Sequence, residues 1–184
     1  SFSPDGLTLT MKLRTDAKFH DGDAFNAEAA KANIERARTL PDSLRKSELA
    51  SVDSVTVVDP TTIALKLKRP DAPLLAQLTD RAGMIVSPKA AREAGERFGS
   101  APVCAGPYRF VERVQQDRIV VERFADYWDK DRVTIQRIEY RPITDATVRL
   151  ANLRSGQLDL IERALATDIP QIRTNAQLRL AVGV

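Results

Sequence analysis

The sequence predicts an α/β fold with a mixed sheet, and three observations point to it. Residues 7–13 alternate strictly, with Leu7, Leu9, Met11 and Leu13 on one face and Thr8, Thr10 and Lys12 on the other. That is the period-two pattern of a half-buried strand. Pairs of strand-like segments recur at residues 54–58 with 63–67, and at 108–114 with 118–124. Between and after them, Asn26, Ser87 and Asp145 stand where helix-capping side chains are expected, each followed by helix-forming sequence.

Taken in order, Pro4-Asp5-Gly6 is turn chemistry ahead of the first strand, and Arg14 to Gly22 reads as a loop closed by Asp-Gly. Asn26 caps a helix starting at Ala27. Ala29, Ala30, Asn33, Ile34 and Ala37 lie on its adjoining faces, and Glu28, Glu35, Lys31, Arg36 and Arg38 lie outside. Pro41-Asp42-Ser43 breaks it, and residues 48–52 predict a short helical turn. Asp59-Pro60-Thr61-Thr62 joins the first strand pair. Leu74, Leu75 and Leu78 predict a short helix started by Pro73, followed by a loop at 80–84. Ser87 caps a helix with Pro88 at its first position, running to about Arg97.

Phe98-Gly99-Ser100-Ala101-Pro102 is the expected lobe boundary. Ala105-Gly106-Pro107 then feeds a hairpin that turns at Gln115-Gln116-Asp117 and closes at Asp126-Tyr127-Trp128, with the only Trp of the chain. Residues 133–141 alternate with a change of phase near Gln136-Arg137, the mark of a strand with a bulge. Asp145 caps a helix over 146–154 that Ser155-Gly156 ends. Leu158, Leu160 and Ile161 predict a short strand, residues 168–174 a helix, and Leu178, Leu180 and Val182 a final strand.

Composition narrows the function classes. With 184 residues, 43% hydrophobic and 29% charged, the chain is of ordinary globular make-up. No apolar run approaches the roughly 20 residues that span a bilayer. Net charge is +3, from 28 Lys and Arg against 25 Asp and Glu, and the two signs interleave as in Glu112-Arg113 and Glu122-Arg123. Such a surface is solvated and is not a phosphate-binding stripe, and no aromatic-basic platform for nucleic acid is present. The single Cys104 excludes an internal disulfide. The chain opens at Ser1-Phe2-Ser3-Pro4 without a Met, as expected of an excised fragment, so the missing signal segment says nothing of compartment.

Three stretches carry a resemblance. They are Leu13-Arg14-x-x-Ala17-Lys18-Phe19-x-Asp21-Gly22-x-x-Phe25-Asn26-Ala27-Glu28, the Gly106-Pro107-Tyr108 to Glu122-Arg123-x-x-Asp126-Tyr127-Trp128 hairpin, and the helix followed by Ser155-Gly156-x-Leu158-Asp159-Leu160-Ile161. In that order they resemble the family 5 extracellular solute-binding proteins, the peptide-, oligopeptide- and nickel-binding receptors of ABC importers. The resemblance implies a type II periplasmic-binding-protein fold of the large class. Residues 1–100 would be the extra lobe of the first domain and 101–184 part of the main ligand-binding domain, with the second domain absent. It implies a substrate-binding component outside the cytoplasmic membrane, with a peptide, a glutathione-like compound or chelated nickel as solute. An ABC permease would be its partner, with neither cofactor nor nucleic acid.

The resemblance also implies ligand contacts: Arg149, Arg81, Met84, Cys104, Ala105 and Gly106. Arg149 follows Pro142-Ile143-Thr144-Asp145 on the predicted helix. In nickel-binding members an Arg at the matching place holds an anionic ligand group, a task that suits the guanidinium fork. The alternative is an ion pair with Asp145 or Glu139. Where the family usually has Gly-Thr-Gly-Pro, this chain has Cys104-Ala105-Gly106-Pro107, without that hydroxyl and glycine.

Enzyme readings find little support in the residues. A hydrolase is the competing class, yet His20 is the only histidine and has no Ser-His or Cys-His partner in the pattern, so it is expected to be an exposed loop residue. Cys104 is expected to be a small, partly buried side chain, and Trp128 to plug a core edge. No catalytic or metal-binding constellation is expected: Gly99 and Gly106 lack the Lys-Ser/Thr of a phosphate loop, and Asp21, Asp23 and Glu28 do not fit a calcium loop.

Overall fold

A computed structural model describes residues 1–182. They form an α/β arrangement of two compact units, Ser1–Val114 with Ile119–Glu139, and Gln115–Arg118 with the chain from Tyr140 onward. Residues 98–102 lie inside the first of these. Among the described residues no helix is long and apolar enough to cross a membrane.

The first unit is built on a three-stranded sheet of β1 (Thr8–Lys12), β2 (Val52–Asp59) and β3 (Thr62–Leu67), in the order β1-β3-β2. Both ladders are antiparallel. Leu9, Leu65 and Val55 align across the sheet, and Met11, Ile63 and Val57 form the next row. Period two therefore puts all six on one face. Helix α1 (Ala27–Thr39) covers that face with Ala27, Ala30 and Ile34, and Leu49, Val52, Leu67, Leu74 and Ala82 complete the core. Each large aliphatic side chain so buried contributes about 1.5–3 kcal/mol. Alanines at 27 and 30 let the helix backbone come close to the sheet. Asn26 caps α1 as the sequence predicts, its side chain accepting from the Ala29 amide at 2.9 Å.

Two local expectations in this unit change. Residues 48–51 are turns and not helical, and Val52, fully buried and paired with Leu67, already belongs to β2. The helix capped by Ser87, α3 (Pro88–Ala94), stops before Arg97. Gly95 takes φ 54, and a 3-10 helix, Gly95–Ser100, replaces the α-helix. Before it come α2 (Leu74–Leu78) and a 3-10 turn, Arg81–Gly83.

The second sheet has the order β4 (Tyr108–Val114), β5 (Arg118–Arg123), β6 (Arg137–Tyr140). The hairpin turn is where the sequence places it, with Gln116 at φ 62. The strand expected over 133–141 shrinks to β6. Val133 instead donates to the Lys130 carbonyl at the end of a 3-10 turn, Lys130–Arg132, and only the Gln136 carbonyl accepts from Arg123.

In the second unit Asp145 caps α4 (Ala146–Arg154) by accepting from the Val148 amide at 3.0 Å. Gly156 at φ 76 turns the chain away. A second helix, α5 (Ile169–Thr174), follows a 3-10 turn, Ala166–Asp168. Leu150 and Ile172 are buried. The strands expected at 158–161 and 178–182 are not strands. A strand exists only in a ladder, and no neighbouring strand pairs with either segment among the described residues.

Candidate functional site

After β1 the chain makes a miniature hairpin. Lys18 pairs with Ala24, the Phe19 amide donates to the Asp23 carbonyl at 2.8 Å, and the Gly22 amide donates to the Phe19 carbonyl at 2.9 Å. Gly22 has φ 90, a conformation that only glycine adopts without strain. Phe19 and Ala17 are buried, and Phe19 stands edge-on to Phe25 at 6.0 Å. The Asp-Gly loop read from sequence is therefore a packed element.

A second seam runs between residues 85–87 and 103–104. Val86 pairs with Cys104, and the Ser87 amide donates to the Val103 carbonyl at 2.8 Å. Two side chains fix this seam. The Asn33 amide nitrogen donates to the carbonyls of Ala29 and Val86, and its oxygen accepts from the Val86 amide at 2.9 Å. Ser87, fully buried, caps α3 by accepting from Ala90 and donates its own hydroxyl proton to Asp21 Oδ2 at 2.6 Å. The sequence shows Asn33 only as part of the inward face of α1 and Ser87 only as a cap. The second partner of each is set by tertiary packing.

His20 ties the hairpin to the seam and is not the exposed loop residue that the sequence suggests. It is half-buried, 4.9 Å edge-on to Phe124. Its backbone amide donates to the Cys104 carbonyl at 2.8 Å, Nε2 lies 3.0 Å from the Gly106 carbonyl, and Nδ1 lies 3.4 Å from the Cys104 amide. A carbonyl on one side and an N–H on the other select the neutral Nε2–H tautomer. Burial holds the ring's pKa below its ordinary value. The Gly106 carbonyl opposes that shift, Arg109 adds to it and Asp21 opposes it.

Together these segments line an open cavity of about 420 Å³, walled by Arg14, Ala17, Phe25, residues 84–86, residues 104–106 and Trp128. Its wall is apolar apart from Arg14. The Arg14 guanidinium lies 3.4 Å from the ring centroid of Trp128 and donates two hydrogen bonds to Asp16, at 3.0 and 2.8 Å. Stacking of this kind is a cation–π contact. Trp128 is 41% exposed, so it is a cavity wall and not the expected plug of a core edge. Cys104 is half-buried, and burial pushes its thiol pKa up, which keeps it in the unreactive protonated form.

Of the six expected ligand contacts, Met84, Cys104, Ala105 and Gly106 line this cavity. Arg81 is exposed on the 3-10 turn and does not line it. Arg149, in the second unit, makes neither of the ion pairs considered. Its guanidinium donates to the carbonyls of Ile143 and Thr144, at 2.8 and 2.9 Å, and of Arg163 at 3.2 Å. The cavity residues missed by sequence reasoning are Arg14, Ala17, Phe25, Ile85, Val86 and Trp128. Arg14 and Trp128 each belong to a motif quoted above, but 114 positions separate them, and only the fold stacks one on the other. Among the described residues no group of three or more His, Cys, Asp or Glu could hold a metal ion.

Comparison with known proteins agrees on one family. The model of the "Bacterial extracellular solute-binding proteins, family 5 Middle" matches residues 1–182. The glutathione-binding protein GsiB of Pectobacterium atrosepticum is 39% identical over 156 residues, 84% of this chain and 30% of that protein. Among solved structures, the PBP AgaA from A. tumefacien R10, in complex with agropinic acid, superposes with TM-score 0.89. It is 29% identical over 96% of this chain and 36% of its own. NikA from Brucella suis, in complex with Fe(III)-EDTA, gives TM-score 0.81 at 27% identity over 94% of this chain and 36% of that one. The chain thus spans about a third of the length of these relatives. It belongs to the bacterial extracellular solute-binding proteins of family 5.

Proposed function

We propose that this chain is part of the substrate-binding component of an ABC import system. The whole receptor captures a peptide or related small solute outside the cytoplasmic membrane and delivers it to a permease. The observation that carries the reading is the cavity of about 420 Å³, walled by four of the six expected contact residues. Its size falls in the range of small-molecule sites, roughly 300–1,000 Å³, and its lining is apolar with a single cation, as such sites are. A glutathione-like tripeptide is the favoured solute, because GsiB, 39% identical over the matched residues, is a glutathione-binding protein. Residues 1–100 then form the extra lobe of the first domain and 101–184 part of the main ligand-binding domain. Arg149, and Arg81 beside Met84, contribute to ligand contact in the whole receptor.

The function is binding without catalysis. Both ring nitrogens of His20 are engaged by backbone groups of Gly106 and Cys104, so the ring acts as a structural tie. Calorimetric titration of the full receptor with reduced glutathione, tripeptides and histidine-chelated nickel tests the reading. Saturable binding of the tripeptide class, weakened by Trp128→Ala, is expected. Binding of none of these, or binding indifferent to Trp128, overturns it.

A further inference from the structure

We propose that His20 is a positioning residue for the cavity wall: its neutral ring helps latch residues 104–106 in place, and protonation of Nδ1 loosens the latch at the Cys104 amide. The geometry supplies the argument. Three of the ten cavity-lining residues are Cys104, Ala105 and Gly106. His20 touches both ends of that run, at the Cys104 amide and carbonyl and at the Gly106 carbonyl.

A proton on Nδ1 turns the only acceptor on that side into a donor facing another donor, the Cys104 amide. That contact becomes repulsive, while the Nε2–H bond to Gly106, the backbone bond from His20 to the Cys104 carbonyl and the pairing of Cys104 with Val86 survive, so the run is loosened at the Cys104 amide and stays tethered. The charged groups around the ring do not cancel this. Asp21 favours the imidazolium but is already bonded to Ser87. Arg109 disfavours it and is paired with Glu122 at 2.6 Å. Phe124 offers the ring an apolar face, and the Cys104 thiol stays protonated.

The sign of the effect follows. The folded pKa lies below the ordinary 6.5, so the unfolded or unlatched chain binds more protons. The latch is whole above about pH 6.5 and is lost progressively as pH falls toward the lower folded value. Under the proposed function, acid would loosen the grip on a ligand. The latch itself can be tested without one, so failure of either reading shows separately.

One histidine and one cysteine make the experiment direct. Long-range proton–nitrogen correlation spectra of the 184-residue chain report the His20 tautomer and its titration. Labelling of Cys104 by dithiodipyridine, as a ratio to free cysteine at each pH, reports opening of the wall. The Nε2–H tautomer is expected at neutral pH. The ratio should rise in step with ring protonation, about tenfold for each unit by which the closed pKa lies below the open one. The non-titrating His20→Asn variant should give a flat profile. An Nδ1–H tautomer, a ratio that ignores the titration, or an acid rise that survives in His20→Asn overturns the proposal. So does a rise that coincides with loss of far-UV ellipticity, which would make the tie purely structural. If His20→Asn does not fold, the wild-type titration alone decides.

Discussion

On α1, the Asn33 side chain bridges 53 positions to hold both the N–H and the C=O of Val86. Removing it strands backbone groups in a half-buried place, where an unsatisfied group costs about 1–3 kcal/mol. Asn33→Ala is therefore expected to lower stability by about 2 kcal/mol, read as a shift in the urea midpoint at constant slope. Asn33→Asp keeps the acceptor for the Val86 amide but turns a second acceptor toward the Ala29 and Val86 carbonyls, so it should lose at least as much. Arg149 poses a related question with two readouts. Its three carbonyl acceptors order residues 143–144 and 163. Because the side chain is partly exposed, Arg149→Ala should cost the chain only about 1–2 kcal/mol. In the full receptor, calorimetry should show a further loss of ligand affinity that Arg149→Lys restores only in part, since Lys lacks the fork. Unchanged affinity would confine Arg149 to ordering its own loop.

At the level of elements, Gly83 ends the 3-10 turn that delivers Met84 to the cavity. A Cβ there would stand 1.9 Å from the Leu78 carbonyl oxygen. That obstacle is backbone, so the strain cannot be relieved by a rotamer change. Gly83→Ala should destabilise by about 3 kcal/mol, at the upper end of overpacking effects, and thermal denaturation checks it. A neutral substitution would show that α2 and the turn move apart freely. The elements most legible in the sequence were those with local causes. Asn26, Ser87 and Asp145 cap as read, and the alternation of residues 7–13 places Leu9 and Met11 on the inward face. Elements that depend on a neighbour were not legible. Residues 158–161 and 178–182 carry strand-like spacing but find no ladder, and Val133 is drawn into a turn. The cavity was half visible. Residues 84 and 104–106 came from the family likeness, while Arg14 on Trp128 and His20 on Gly106 join positions that no periodicity relates.

Across the molecule, apolar side chains exposed to solvent recur in the second unit. Leu160 is 75% exposed, Val182 73% and Tyr140 55%, and Val148 and Leu165 are also uncovered. Apolar surface of this kind promotes association. The isolated chain is expected to self-associate at high concentration, with sedimentation velocity showing concentration-dependent species. Leu160→Lys with Val148→Lys should restore the monomer. A monomer at every concentration in the unmodified chain would show that these side chains form no contiguous patch.

The ties around the cavity also set an order of events in time. Asn33 to Val86, Ser87 to Asp21 and His20 to Gly106 close loops of 53, 66 and 86 positions. The turn between β2 and β3 closes over only a few residues, and the β1–β3 ladder closes over fewer positions than the two longest of these ties. Loop closure must be met before such distant contacts stabilise anything, so the pocket should be among the last parts of the chain to assemble. Trp128, the sole indole, sits in that late region and gives it a private optical signal. In stopped-flow refolding, ellipticity from the α1 layer should recover first, and tryptophan emission should trail it. A single rate shared by both signals would mean that the cavity wall and the core beneath it are born together.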